Sequence, residues 1–239
     1  MIKTAMIMAA GHGTRMRPLT HDRSKAMVEL AGRPLIDHMI DRLLAVGVTR
    51  IIVNVHAFAD HLEAHLKTRQ TDFELIISDE RNELLETGGG VVKALPLLGD
   101  GPIFICNIDA VWLEKTETLA AMIKAWDADV MDDLLLLAPI GDTMGYNGKG
   151  DFSMDADRSI AWRDGDSAPY VYAGVQIARL EPLRGYKVEP FSRTKVWRQS
   201  VPNNRAFGHI LNGFWMHVGD PQARNVAEGI LADEWENWA

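Results

Sequence analysis

Five short runs of mostly apolar residues, 4–8, 51–55, 73–78, 103–107 and 134–138, most constrain what this chain can fold into. A strand with one wet face alternates apolar and polar residues with period two. A continuous run instead needs cover on both faces, which a parallel sheet flanked by helices supplies. The cover is visible between the runs. Leu35, Ile36, Met39, Ile40, Leu43 and Leu44 recur at three- and four-residue spacing until Gly47 ends the stretch. Residues 59–66, 89–98 and 118–126 read as further helices. Strands interleaved with helices predict an α/β doubly wound sheet.

The texture changes after about residue 140. Gly141, Gly145, Gly148 and Gly150 break the chain, and residues 171–177 alternate more with polar neighbours, as an inserted antiparallel element would. Asp220-Pro221 supplies an N-cap and a proline at the first helical position. A closing helix through Val226, Ile230 and Leu231 is expected to reach about Trp235, with Trp235 and Trp238 docking it. No linker separates two independent domains. A chain of 239 residues can bury a full core without staples, and its single cysteine, Cys106, cannot form an internal disulfide. A net charge of -8 argues against a general nucleic-acid binder. No apolar run approaches the ~20 residues of a membrane span. The short apolar stretch 5–10 runs directly into a glycine loop, so no signal peptide is expected and the cytoplasm is the expected location.

That loop, Gly11-His12-Gly13-Thr14-Arg15-Met16-Arg17-Pro18, is the strongest local signal of chemistry. Glycines just after a buried strand let backbone N–H groups approach an anion closely. A dinucleotide fingerprint would need glycine where Met16 stands, and no Walker A string exists. Instead there are cations, Arg15, Arg17 and further on Lys25, suited to a polyphosphate whose charge grows as pyrophosphate leaves. A glycine-rich turn with solvated arginines would carry the same residues. Asn107 and Asp109 point the same way at the carboxyl edge of the sheet, where open α/β sheets bind ligands and where a carboxylate could hold Mg²⁺; a plain turn-capping Asp is the alternative. Leu85-Glu86-Thr87-Gly88-Gly89-Gly90 before a helix could expose backbone to a nucleobase edge or an anion, or be simply a flexible loop. His56, His61 and His65 read as solvated helix histidines before they read as a metal site, and Cys106 as an inert core residue. There is no H-E-x-x-H, cysteine cluster or G-x-S-x-G to support zinc or serine-hydrolase chemistry.

Taken in order, these segments resemble the sugar-1-phosphate nucleotidyltransferases. Met8 to Thr20 is similar to that family's nucleotide-binding signature, and Lys25 falls at its Pro-Lys lysine with Ser24 in place of the proline. Ala31 to Ile36 matches the segment that opens the first long helix. Leu85 to Gly90, followed by Lys93-Ala94-Leu95, is similar to the branch that transfers uridylate to N-acetylmuramate 1-phosphate. Asn107-Ile108-Asp109 corresponds to the metal-binding segment and Trp215 to Asp220 to the closing W-x-D-V-G-T.

The resemblance implies a Rossmann-like doubly wound mixed sheet in one domain over 1–239, with a nucleotide part (1–140), a sugar part (141–219) and a C-terminal helix (220–239). It implies that Arg15 and Lys25 hold a nucleoside triphosphate, and that Asp109 with His217 holds Mg²⁺, or Mn²⁺. Ala10, Gly11, Gly13, Thr14, Gly88, Asn107 and Gly174 would contact substrates, backbone at Ala10 and Gly88 reading the base and Gly174 lying beside the sugar. The implied partners are UTP and a sugar 1-phosphate, with GTP and mannose 1-phosphate as the alternative. Nucleic acid and membrane are not expected, and the chain would be a monomer or small homo-oligomer. Two departures bear on the metal: His217 replaces the family's second Asp, with Asp220 in place of Thr, and Ile108 replaces a small residue. They keep open a second class, a nucleotide or nucleotide-sugar sensor without turnover, against which stand the retained Arg15, Lys25 and Asp109.

Overall fold

Apolar runs and amphipathic helices assemble into the expected layers in the computed structural model, which describes residues 2–69 and 73–238, the last five by backbone alone. The chain runs β1 (Thr4–Met8), β2 (Glu29–Leu30), β3 (Arg33–Pro34), α1 (Leu35–Ala45), β4 (Arg50–Val55), α2 (Ala59–Arg69) and β5 (Glu74–Asp79). It continues through α3 (Glu86–Leu98), β6 (Ile103–Asn107), β7 (Ala110–Glu114), α4 (Thr118–Ala125), β8 (Asp133–Pro139) and β9 (Thr143–Met144). Then come β10 (Phe152–Met154), β11 (Ile160–Trp162), β12 (Tyr170–Ala178), α5 (Thr194–Ser200), β13 (Ala206–Ile210), β14 (Gly213–His217) and α6 (Pro221–Trp238).

The main sheet has nine strands. Its centre is parallel: β1 lies between β6 and β4, and β4 carries β5 at the edge. Successive β1 residues serve opposite faces, as the pleat requires. Ala5 and Ile7 join Ile36, Met39, Ile40 and Leu43 of α1 with Leu62 and Leu66 of α2. Met6 faces the other way, onto Val91, Ala94 and Leu98 of α3 and Val196 of α5.

The sheet is mixed, as the resemblance implies, and only the local reading of the 134–138 run as one more strand of the parallel set is altered. β12 is antiparallel to β6 and stands between it and β8, so β8 is antiparallel to its inner neighbour and parallel only to β13. Strand order is set by long-range pairing, which a local apolar pattern does not encode. The insertion after residue 140 is antiparallel as expected, through β10, β11 and β12. A separate small sheet, β7–β14–β9, lies at the carboxyl edge. Helix α3 begins at Glu86, not at residue 89, so the glycine triplet is its first turn. Asp220 caps α6 as expected, accepting from Ala223 N at 2.8 Å. The side chains of Trp235 and Trp238 lie outside the described residues. No described helix is long and apolar enough to cross a membrane.

Cys106 sits in the centre of the sheet with no exposed surface, and burial pushes its thiol well above the usual range. Native protein is therefore expected to resist thiol-specific labelling at neutral pH and to react fully in denaturant, which a colorimetric thiol titration reads directly.

Candidate active site

The first turn after β1 lines an open cleft. Gly13 adopts φ +61°, and a Cβ there would lie 3.0 Å from that of Lys25 and 3.2 Å from Thr20 Cγ2. Thr20 Oγ1 in turn donates to Gly13 O at 2.9 Å, locking the bend from which a short 3₁₀ turn, Thr14–Met16, sets out. At Gly11 an added Cβ would meet nothing within 4 Å, so its backbone faces open space. A second 3₁₀ turn, Lys25–Met27, is capped by Ser24 Oγ accepting from Ala26 N, a task suited to the residue that replaces proline in the motif.

Two lobes of a cleft meet above the carboxyl ends of β1 and β6, as the doubly wound fold dictates. One, of about 460 Å³, is lined by Ala10, Gly11, Gly13, Thr14, Arg15 and Lys25 on one side and by Leu84, Glu86, Thr87 and Ser192 on the other. The second, of about 470 Å³, has aromatic walls: Phe152, Trp162, Tyr172 and Trp197 on one side, Tyr146 and Trp215 on the other, with Gly174 between. Arg15, Asn107 and Asp109 line both lobes and so mark their junction. Arg15 is exposed and has no ion-pair partner among the described residues, leaving its guanidinium available to a ligand.

Asp109 is the electrostatic centre. Its Oδ2 accepts from Lys25 Nζ at 2.7 Å and faces His217 Nε2 at 3.3 Å. Burial alone would raise its carboxyl, but the His217 hydrogen bond and the Lys25 ammonium outweigh it and hold the group well below the usual carboxylate range. Asp109 is therefore ionised at neutral pH. The placement of His217 follows from register: β14 runs antiparallel to β7 with His217 opposite Ala110, and Val218 N donates to Asp109 O at 3.0 Å. The imidazole stacks on Trp215, and its Nδ1 lies 3.3 Å from Gly145 O.

Residues 5–141 match the family described as the MobA-like NTP transferase domain. N-acetylmuramate alpha-1-phosphate uridylyltransferase of Caulobacter vibrioides is 48% identical over 97% of this chain and 98% of that protein. The protein of the same name from Neisseria meningitidis serogroup B is 31% identical over 97% of this chain and 99% of its own length. This chain belongs to the MobA-like NTP transferase family. Its fold is also that of a UDP-glucose pyrophosphorylase from Acinetobacter baumanii, at 16% identity and a TM-score of 0.79 over 97% of this chain and 93% of that one. Within this NTP transferase the family match covers Arg15, Lys25 and Asp109 and ends before Gly174 and His217.

The structure thus brings together Ala10, Gly11, Gly13, Thr14, Arg15, Lys25, Asn107, Asp109, Gly174 and His217. It leaves out Gly88, which lines neither lobe. The N–H groups of Gly88 and Gly89 both point at Phe191 O, at 2.7 and 3.2 Å, so neither is free to read a base. A Cβ at Gly88 would strike the Phe191 ring, and one at Gly89 would strike Glu189 O. The triplet is needed for close packing of α3 against 189–191. The histidines 56, 61 and 65 also separate: His56 Nδ1 binds Glu80 O, while His65 Nε2 binds Asp37.

Asn54 and Glu80 escaped the sequence reading, although an amide within the apolar run 51–55 was a visible signal. Both are fully enclosed, and Asn54 lines the first lobe. The aromatic lobe escaped because its residues come from strands, a loop and α5 that lie far apart in sequence. Gly89→Ala is expected to lower stability by about 1–3 kcal/mol through overpacking. Gly11→Ala, which adds the same methyl to open space, should leave it unchanged; urea unfolding of the two variants makes the comparison.

Proposed function

We propose that this protein joins UTP to N-acetylmuramate 1-phosphate in the cytoplasm, giving a nucleotide sugar and pyrophosphate, as a monomer or small homo-oligomer. The observation that carries the reading is the junction of two chemically different lobes at Arg15, Lys25 and Asp109. A glycine-lined lobe bordered by Arg15 and Lys25 suits a triphosphate, and an aromatic lobe suits the apolar face of a sugar ring. The near full-length relatives named for this uridylyltransferase activity support the choice of UTP and of the sugar.

In this reading an oxygen of the sugar phosphate attacks the α-phosphorus of UTP in line. The bond from that phosphorus to the bridging oxygen breaks, and pyrophosphate carries the electron pair away without a covalent enzyme intermediate. The chain's contribution is positioning and charge stabilisation. Arg15 meets the departing charge from the loop side, and Lys25, already aimed at the junction, meets it from below. Backbone at Ala10, Gly11, Gly13 and Thr14 lines the phosphate end, and Asn107 presents its amide to the shared boundary. Gly174, at φ +83° where the β12–β8 register shifts, lets the sugar-side wall approach Ala110, whose Cβ would lie 2.8 Å from a substituted side chain.

Mg²⁺ fits this site. Mg²⁺ commonly takes one or two carboxylates and leaves its other positions to phosphate and water. Asp109 is ionised and borders both lobes, and among the described residues there is no cluster of three or more acidic, His or Cys side chains that could cage an ion. Bound there, the ion would neutralise phosphate charge on both substrates. His217 supplies an imidazole, a poor direct ligand for Mg²⁺, and touches Asp109 instead.

A matrix of UTP, GTP and the other triphosphates against several sugar 1-phosphates, read by pyrophosphate release, tests the proposal. Turnover of GTP with mannose 1-phosphate alone would reassign the substrates. Binding without turnover in any combination would make the protein a sensor. Arg15→Ala is expected to lower turnover by ~10²–10³ with the fold intact, the usual cost of one preorganised charge. His217→Asp should lower the Mg²⁺ concentration needed for half-maximal rate and preserve that rate. Loss of activity with both Mg²⁺ and Mn²⁺ would show that the histidine has a role of its own.

A further inference from the structure

Two buried polar side chains connect the opposite walls of the first lobe. Asn54, on β4, accepts from Ala9 N at 2.7 Å and from Ala10 N at 3.3 Å through Oδ1. Its Nδ2 donates to Glu80 Oε1 at 2.8 Å. Glu80, just past β5, accepts from Leu85 N at 3.0 Å through Oε2. Ala10 belongs to the phosphate-loop wall, and Leu85 lies between Leu84 and Glu86 of the facing wall. We propose that Asn54 and Glu80 are positioning residues that set the spacing between these walls for the triphosphate.

Burying an amide and a carboxylate is costly, and an apolar pair of similar volume often serves stability as well or better. What an apolar pair cannot do is bind three N–H groups that have left the strand ladder. Every side-chain hydrogen bond of this pair that leaves it goes to a cleft wall. Gly90 makes room for the connection: a Cβ there would lie 2.7 Å from Glu80 Oε1 and 3.1 Å from Asn54 Nδ2. The polarity is also directional, with Asn54 accepting at one end and donating at the other. That direction makes the arrangement reversible on paper. In the double variant Asn54→Asp, Glu80→Gln, Asp accepts from the Ala9 and Ala10 N–H groups with one oxygen. Its other oxygen accepts from the Gln amide, whose carbonyl still accepts from Leu85 N. All connections survive with the one carboxylate moved from position 80 to position 54.

The proposal rests on the first lobe's being the triphosphate site, and the test separates the two ideas. Glu80→Gln alone must lose one bond whichever way its amide turns, and Asn54→Asp alone opposes two carboxylates. Each single variant is expected to raise KM for UTP about tenfold, with kcat and KM for the sugar phosphate held within about twofold. The double variant is expected to restore KM. Wild-type KM in both single variants, or a folded double variant as impaired as the singles, overturns the proposal. Absence of turnover by the wild-type protein with any triphosphate overturns the substrate reading instead. Residue-resolved hydrogen exchange on the wild-type protein is a second measure needing no variant. The amides of Ala9, Ala10 and Leu85 should share one opening equilibrium, and opening constants that differ by more than about tenfold overturn the connection.

Discussion

An ionised carboxylate at the end of β6 holds two other segments of the chain to the ligand edge of the sheet. Lys25 comes from the turn before α1 and His217 from the last strand, and both meet Asp109 Oδ2. The Lys25–Asp109 pair is only partly buried, so solvent screens part of each charge, but the 2.7 Å hydrogen bond still fixes where the ammonium sits. The placement of Lys25 therefore depends on Asp109, and the small β7–β14–β9 sheet depends on the same turn through Val218 N. The loop that carries Arg15 is fixed from the other direction, by the packing of Gly13 on Lys25. One carboxylate thus orders the glycine loop, the lysine and the closing strand together.

The two lobes divide the work by material. The first is walled by glycine, a few aliphatic side chains and many polar or charged ones, a surface suited to hydrogen bonds and charge. The second is built from rings. Phe152 lies 4.7 Å from Trp162, and Tyr172 lies 4.7 Å from Trp197, pairs that each contribute about 0.5–1.5 kcal/mol beyond simple burial. Those rings are rigid before anything binds, so little side-chain freedom remains to be lost there. Their placement depends on β12, whose carboxyl half pairs with β6 and whose first residue pairs with Phe152 of β10.

Local signals reached the elements better than their arrangement. Continuous apolar runs marked the strands because burial on both faces leaves no other pattern, and β1 and β6 fall at the expected residues. Nothing within residues 134–138 says that an antiparallel strand separates them from β6. The short α5 and the β7–β14 pair were also illegible, since seven residues hardly define a helical period and the partner of residues 110–114 lies about a hundred residues on. At the site, the glycines and cations after β1 were legible as a cleft wall because they lie close together in sequence. The glycine triplet misled because the acceptor that occupies its N–H groups, Phe191 O, lies about a hundred residues on. Asn54 was readable in principle: an amide in a strand covered on both faces needs partners, and the partners were the cleft walls.

Close packing at that triplet also bears on how such a protein can diverge. Gly88, Gly89 and Gly90 have no room for a methyl group, being pressed against Phe191, Glu189 and Glu80 respectively. Substitution there breaks packing before it can alter a ligand contact. Leu84, Glu86 and Thr87 border the same wall with side chains of ordinary size, and Glu86 already stands in the left-handed region at φ +58°. A lineage that changes its nucleotide on this scaffold can vary those three positions, while the glycines beside them are closed to drift.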